Sequence, residues 1–322
     1  MTVPTTAARR RAAGRSVLPS AVRGLAQRPV AAAVLGALVI AFSAIFVALA
    51  DVTPATAAIF RCVYALPALA LLAWWEERRY GPRAAGQRRL AIVAGLFFAA
   101  DLVLWHHAIG AVGAGLATVL GNTQVVMVGV AAWLLLGERP DRRVLLSVPV
   151  VFVGIVFISG VIGADAYGRD PLLGSIFGVL TGVAYTGFLL LQRRANADRR
   201  RPAGPLFDAT LAAAIASAAI GLPLGELQLV PSWPAHGWLL LLGLLVQVVG
   251  WLLISVSLPR LPSAVTSVVL TVQPVGSVVL GMVLLGEDPS GLQLVGVALV
   301  LAGLFITTLR RRSERTGEPE LG

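Results

Sequence analysis

Two stretches of this chain, 149 residues apart, are near copies: Leu135-Leu136-Gly137-Glu138-Arg139-Pro140 and Leu284-Leu285-Gly286-Glu287-Asp288-Pro289. The same offset aligns Val119 with Val268, Gln124 with Gln273, Val126 with Val275, Leu145 with Leu294 and Gly154 with Gly303. Each copy carries five apolar segments long enough to cross a bilayer. An odd number of crossings forces the second copy to enter the membrane from the side opposite the first. The expected fold is therefore an all-α integral membrane protein of ten transmembrane helices, arranged as two inverted five-helix repeats.

The apolar runs predict spans over about 30–50, 54–75, 90–110, 114–136, 143–162, 171–192, 205–224, 236–257, 262–285 and 291–309. The first, Val30 to Ala50, matches the ~20 residues needed for a ~30 Å hydrocarbon core. That length reads as an uncleaved span rather than a signal peptide, whose apolar core is shorter. The first copy then covers 30–162 and the second 171–309. Residues 1–29 form an Arg-rich cytoplasmic tail, expected to be disordered, and 310–322 form a second cytoplasmic tail. Composition agrees, with 57% hydrophobic and 13% charged residues and a mean hydropathy of +0.84.

Arginine placement orients this scheme. The chain has no lysine, and 24 of its 26 basic residues fall in the two tails and in alternate loops. Arg169 is left for the outside and Arg61 for the second span. By the positive-inside rule both termini face the cytoplasm. The duplicated loops separate in the same way. Arg139 within the first motif and Arg142 and Arg143 after it have no arginine counterpart in or after the second before its next span. The net charge of +10 is thus topological, and no nucleic-acid-binding motif accompanies it. Cys62 is the single cysteine and excludes an intrachain disulfide. No cofactor or metal motif is present: Gly113-Ala114-Gly115 lacks the strand of a dinucleotide fold, and neither a Walker loop nor a zinc helix occurs.

Ionisable side chains inside spans are functional candidates. Asp101 falls ~9 residues, or ~14 Å, from the outer end of the third span, and Arg61 ~7 residues, or ~10 Å, from that of the second. At such similar depth they suit either a gate, with a proton- or solute-sensing carboxylate, or a structural ion pair; the sequence leaves both open. Gln124 and its repeat equivalent Gln273, with Asn122 and Gln247, fall near the midplane and suit a polar cavity. Interhelical bonding is the plainer alternative. Pro274 is expected to bend the ninth span. Trp105 shares the face of Asp101, and Trp251 and Tyr64 offer further aromatic surface, for a solute or for packing. His106 and His107 project ~140° and ~240° around the helix from Asp101, so they form no dyad with it. Gly174, Gly178 and Gly182 predict close helix packing.

The repeated Leu-Leu-Gly-Glu-x-Pro, following spans that contain Gln124-Val125 or Gln273-Pro274, resembles the EamA-type transporters of the drug/metabolite transporter superfamily. So do the tandem five-span copies with Gly154 and Gly303. The first copy departs in having Val125 where the second has Pro274. The resemblance implies a plasma-membrane carrier working by alternating access, often an exporter of amino acids, other metabolites or toxic compounds.

The expected function is a secondary transporter, an exporter of a small amino acid-like or drug-like solute. Its partners would be that solute and the lipid bilayer, with proton coupling through Asp101. Its cavity would be lined by Asp101, Trp105, Asn122, Gln124, Gln247, Trp251 and Gln273. A membrane scaffold or receptor is the alternative. A membrane enzyme is the more remote one, since no cluster of acid–base or metal-ligating groups stands at either face.

Overall fold

The computed structural model describes residues 28–136, 142–163, 165–198, 200–257, 261 and 263–308. Both tails, Glu138 with its loop, and Arg260 lie outside the described residues. The described chain is helical, with no strand among those residues. Helices α1 (Pro29–Ala41) and α2 (Ser43–Ala50) form one stretch interrupted at Phe42. Then follow α3 (Pro54–Tyr80), α4 (Ala85–Val112), α5 (Ala114–Gly121), α6 (Gln124–Leu136) and α7 (Arg142–Ile158). The second half contains α8 (Pro171–Ala195), α9 (Ala203–Leu224), α10 (Ala235–Leu241), a π-helical segment (Leu242–Gly250) and α11 (Trp251–Ser257). It ends with α12 (Ser263–Leu284) and α13 (Gly291–Thr308).

Six of these stretches are long and apolar enough to cross a membrane: Pro29–Ala50, Pro54–Tyr80, Ala85–Val112, Pro171–Ala195, Ala203–Leu224 and Ala235–Ser257. Shorter apolar helices occupy Ala114–Val128, Thr271–Leu284 and Gly291–Thr307. Their outward faces are apolar too, with Leu146, Phe152 and Ile215 each about 65% exposed. In water such surface would carry a penalty of ~25 cal/mol per Å²; lipid removes it.

Local sequence explains the helix boundaries. Proline opens α1, α3 and α8, where its missing N–H is no loss. Asp170 caps α8 by accepting from the Leu173 N–H at 3.0 Å. Helices α3 and α4 run beyond their apolar segments into charged residues, because long arginine side chains can reach the headgroups. Of the fourth and ninth apolar segments, the fourth is interrupted, and without a proline. Pro274 stands inside the continuous α12. The corresponding stretch of the first half breaks at Asn122–Thr123, with no proline. There Asn122 Nδ2 donates to the Thr118 carbonyl at 2.8 Å and Thr123 Oγ1 to the Leu120 carbonyl at 2.6 Å. Such local bonds compete with the helical ladder and favour a break.

Small residues bring the helices together. A Cβ on Gly174, Gly178 or Gly182 of α8 would lie within 2.8 Å of Val112, Leu120 and Thr123 respectively. The backbones of α7 and α13 approach at Gly154 and Gly296, each facing the other's carbonyl.

Carboxylates fasten the helix ends. At the end of α3, Glu76 accepts from the Ala203 and Gly204 N–H groups, at 3.0 and 2.8 Å, at the start of α9. Just beyond α9, Glu226 accepts from the Ala55 N–H at 3.1 Å, at the start of α3. Helices α3 and α9 therefore run antiparallel and cap each other at both ends. Past α12, buried Glu287 accepts from the Ala114 and Gly115 N–H groups at the start of α5. Gly113 suits this seat, since its φ of +93° disfavours other residues and a Cβ would lie 2.8 Å from Glu287 Oε1. Burial raises the Glu287 pKa above the ordinary carboxylate value, and the two backbone donors oppose that rise.

Candidate functional site

The interruption between α1 and α2, the break between α5 and α6, and the junction of the π-helical segment with α11 surround one small cavity. Its volume is about 60 Å³, room for a few waters. From the first half come Ser43, Arg61, Asp101, Trp105, Thr118 and Asn122, with Phe98 as an apolar wall. From the second come Thr181, Tyr185, Trp251 and Gln273.

Both membrane-embedded charges are buried, Arg61 at 4% and Asp101 at 7% exposure. They share the cavity without a direct ion pair, because other groups hold the guanidinium. Arg61 Nε donates to Gln247 Oε1 at 2.9 Å and Nη1 to Ser43 Oγ at 3.2 Å, while the group's centre stands 5.8 Å from the Phe98 ring. All three neighbours are neutral. A guanidinium has five N–H donors, so several stay uncommitted. Asp101 makes no hydrogen bond or ion pair within the described residues. The cavity thus presents a cation and a carboxylate near enough to attract each other, with no hydrogen bond between them.

Of the seven cavity residues expected from the sequence, Asp101, Trp105, Asn122, Trp251 and Gln273 line it. Gln247 stands one layer behind. It is fully buried in the π-helical segment, accepts from Arg61 and donates to Thr210 Oγ1 at 3.2 Å. Gln124 is absent from the lining; at the start of α6 its backbone lies against α8, where its carbonyl accepts from Thr186 at 3.5 Å. Tyr64 also lies elsewhere, bonded to His236 Nδ1 at 2.6 Å. The adjacent histidines have separate partners: His106 Nδ1 meets the Pro54 carbonyl at 2.9 Å, and His107 Nε2 meets Glu226 at 3.1 Å.

Sequence reasoning missed Ser43, Thr118, Thr181 and Tyr185. Hydroxyls in apolar helices commonly bond their own preceding carbonyls, as Thr118 does to Ala114 at 2.8 Å. They raise no signal of their own. Thr181 differs: its Oγ1 is buried with no partner, and so is Trp251 Nε1.

Nothing in this cavity suggests bond-making chemistry, whereas a small polar chamber inside a helical membrane body suits passage of a solute. The EamA-like transporter family matches residues 27–160 and 172–309, and the chain belongs to it. It is a multi-pass membrane transporter and not an enzyme. Among relatives, it is 28% identical to the threonine/homoserine exporter RhtA of Salmonella typhimurium (strain SL1344), over 78% of this chain and 81% of that protein. Identity to RhtA of Escherichia coli (strain K12) is also 28%, with the same coverage. The uncharacterized transporter YetK of Bacillus subtilis (strain 168) is 21% identical over 60% of this chain and 59% of YetK. A solved crystal structure shares the fold, with a TM-score of 0.57 and 16% identity over 87% of this chain and 96% of the other.

Proposed function

We propose that this protein exports a small zwitterionic solute, an amino acid, across the plasma membrane by alternating access. The observation that carries this reading is that Arg61 and Asp101 line one cavity with no direct hydrogen bond or ion pair joining them. A solute carboxylate would take the free Arg61 donors and its ammonium group would face Asp101, desolvating both charges as pairs. The relatives named threonine/homoserine exporters support the same class of solute. A cavity of about 60 Å³ is far below the ~300 Å³ of a drug-sized ligand site, so the helices around it must move apart to carry an amino acid.

The architecture we propose is ten helices in two inverted copies, both termini in the cytoplasm. The helix-end caps support it. Glu287 seats on the start of α5, whereas the equivalent motif of the first copy begins at Leu135, at the far end of the α5–α6 stretch. Labelling checks the scheme with Arg139→Cys and Asp288→Cys, which occupy equivalent positions in the two copies. The native Cys62 is buried, so the background is low. The two labels are expected from opposite faces; labelling of both from one face overturns the inversion.

Asp101 is then the coupling carboxylate, since it lines the cavity with no hydrogen bond from the described residues and can hold either a proton or the solute ammonium. In proteoliposomes, Asp101→Asn is expected to abolish the acceleration of threonine flux by a pH gradient. Wild-type rates with and without the gradient would remove Asp101 from coupling.

A further inference from the structure

Two groups in the cavity are left over once the charges are assigned. Thr181 is 2% exposed on α8, and its Oγ1 has no hydrogen-bond partner. Trp251 opens α11, and its Nε1 is equally buried and unpartnered. Both residues line the Arg61–Asp101 cavity. A buried polar atom without a partner is destabilising, so two beside one cavity call for something that fills it. Each is also held in place. The indole packs edge-on against Phe98, Tyr185 and Phe188, with centroids 6.3, 6.3 and 5.6 Å away. Thr181 is backed by α5, where a Cβ on Gly121 would lie 3.2 Å from its Cγ2.

We propose that Thr181 and Trp251 determine specificity, selecting amino acids with a side-chain hydroxyl over their aliphatic isosteres. This rests on the amino-acid reading above. An indole N–H can only donate, whereas a threonine hydroxyl both donates and accepts. A solute hydroxyl is the smallest group that answers both, accepting from Trp251 and donating to Thr181. A side-chain carboxylate would set a second negative charge beside Asp101. An aliphatic isostere would fill the same volume but strand both protein groups, which is how sites built for a hydroxyl reject such analogues.

The test uses the purified full-length protein in proteoliposomes, comparing L-threonine with L-valine, in which a methyl replaces the hydroxyl. Wild type is expected to carry threonine at least about tenfold more efficiently in kcat/KM. Thr181→Val and Trp251→Phe should each bring the threonine-to-valine ratio of kcat/KM toward one. Thr181→Ser keeps the hydroxyl and should keep the preference, which separates hydrogen bonding from a packing defect. Equal fall of both substrates in Thr181→Val and Thr181→Ser would mean a structural role and overturn the proposal. Equal wild-type transport of threonine and valine would overturn it while leaving the amino-acid reading intact. If neither is carried, that reading falls and takes this proposal with it.

Discussion

The midplane cavity and the helix ends treat buried carboxylates in opposite ways. Glu76 and Glu287 each accept two backbone N–H bonds, and Glu226 accepts from Ala55 while meeting His107. Asp101, as deeply buried, accepts nothing inside the described protein. A saturated carboxylate at a helix N-terminus satisfies donors that the helix itself cannot reach. An unsaturated one is a cost that folding alone does not explain. The duplication divides along the same line. Reciprocal capping by Glu76 and Glu226 joins equivalent helices of the two copies, whereas at the 149-residue offset Arg61 aligns with Thr210 and Asp101 with Gly250. Scaffold is duplicated and chemistry is not, so one asymmetric solute can be held in one orientation.

The largest effect is expected where the cavity's charge is removed or cancelled. Arg61→Gln should lower threonine kcat/KM by about a hundredfold, as befits a charge-assisted bond worth ~1.5–3 kcal/mol. Gln247→Glu leaves Arg61 untouched but gives it an anionic partner at 2.9 Å in place of a neutral one. The guanidinium would then be compensated before the solute arrives, and KM should rise by about tenfold with thermal stability held or increased. Unchanged KM in Gln247→Glu would show that the free charge of Arg61 is not what binds solute.

The caps should respond the other way. Glu76→Ala and Glu287→Ala each strand backbone donors at a helix start, and should lower stability by about 1–2 kcal/mol. Threonine-over-valine preference should be unchanged in the folded fraction. Thermal unfolding in detergent, set beside proteoliposome flux, reads both quantities. A cap variant that alters the preference would erase the distinction between scaffold and chamber.

Much of the scaffold was legible because lipid imposes simple rules. Apolar length marked the helices, and isolated polar residues such as Asp101, Arg61, Asn122 and Trp251 stood out against that background. What failed to stand out depended on partners remote in sequence. Thr181 is one hydroxyl among several, and only its missing hydrogen bond distinguishes it from Thr186, which donates to the Gly182 carbonyl at 2.8 Å. Gln247 appeared to be cavity lining because its depth was right. Its position behind Arg61 follows from the π-helical segment, which periodicity at 3.6 residues does not anticipate. Glu287 was visible as half of a repeated motif, but its seat on α5 is 172 residues away. The break at Asn122–Thr123 carries no proline to announce it, because local side-chain bonds interrupt that helix.

The smallest expected effect probes the wall between chamber and scaffold. Gly121 lies where α5 ends, lines the cavity, and allows Thr181 to approach. Gly121→Ala would set its Cβ 3.2 Å from Thr181 Cγ2 and 3.7 Å from Trp105 Cδ1, a crowding that a shift of a few tenths of an ångström relieves. Threonine flux should fall by about threefold, at the mild end of overpacking effects. Thr181→Ser removes the methyl that the new Cβ meets while keeping the hydroxyl. The double variant Gly121→Ala with Thr181→Ser should therefore recover most of the flux that Gly121→Ala loses. Additive losses in the pair would mean that the added methyl acts through the α5–α6 break rather than through the chamber, and would place Gly121 with the scaffold.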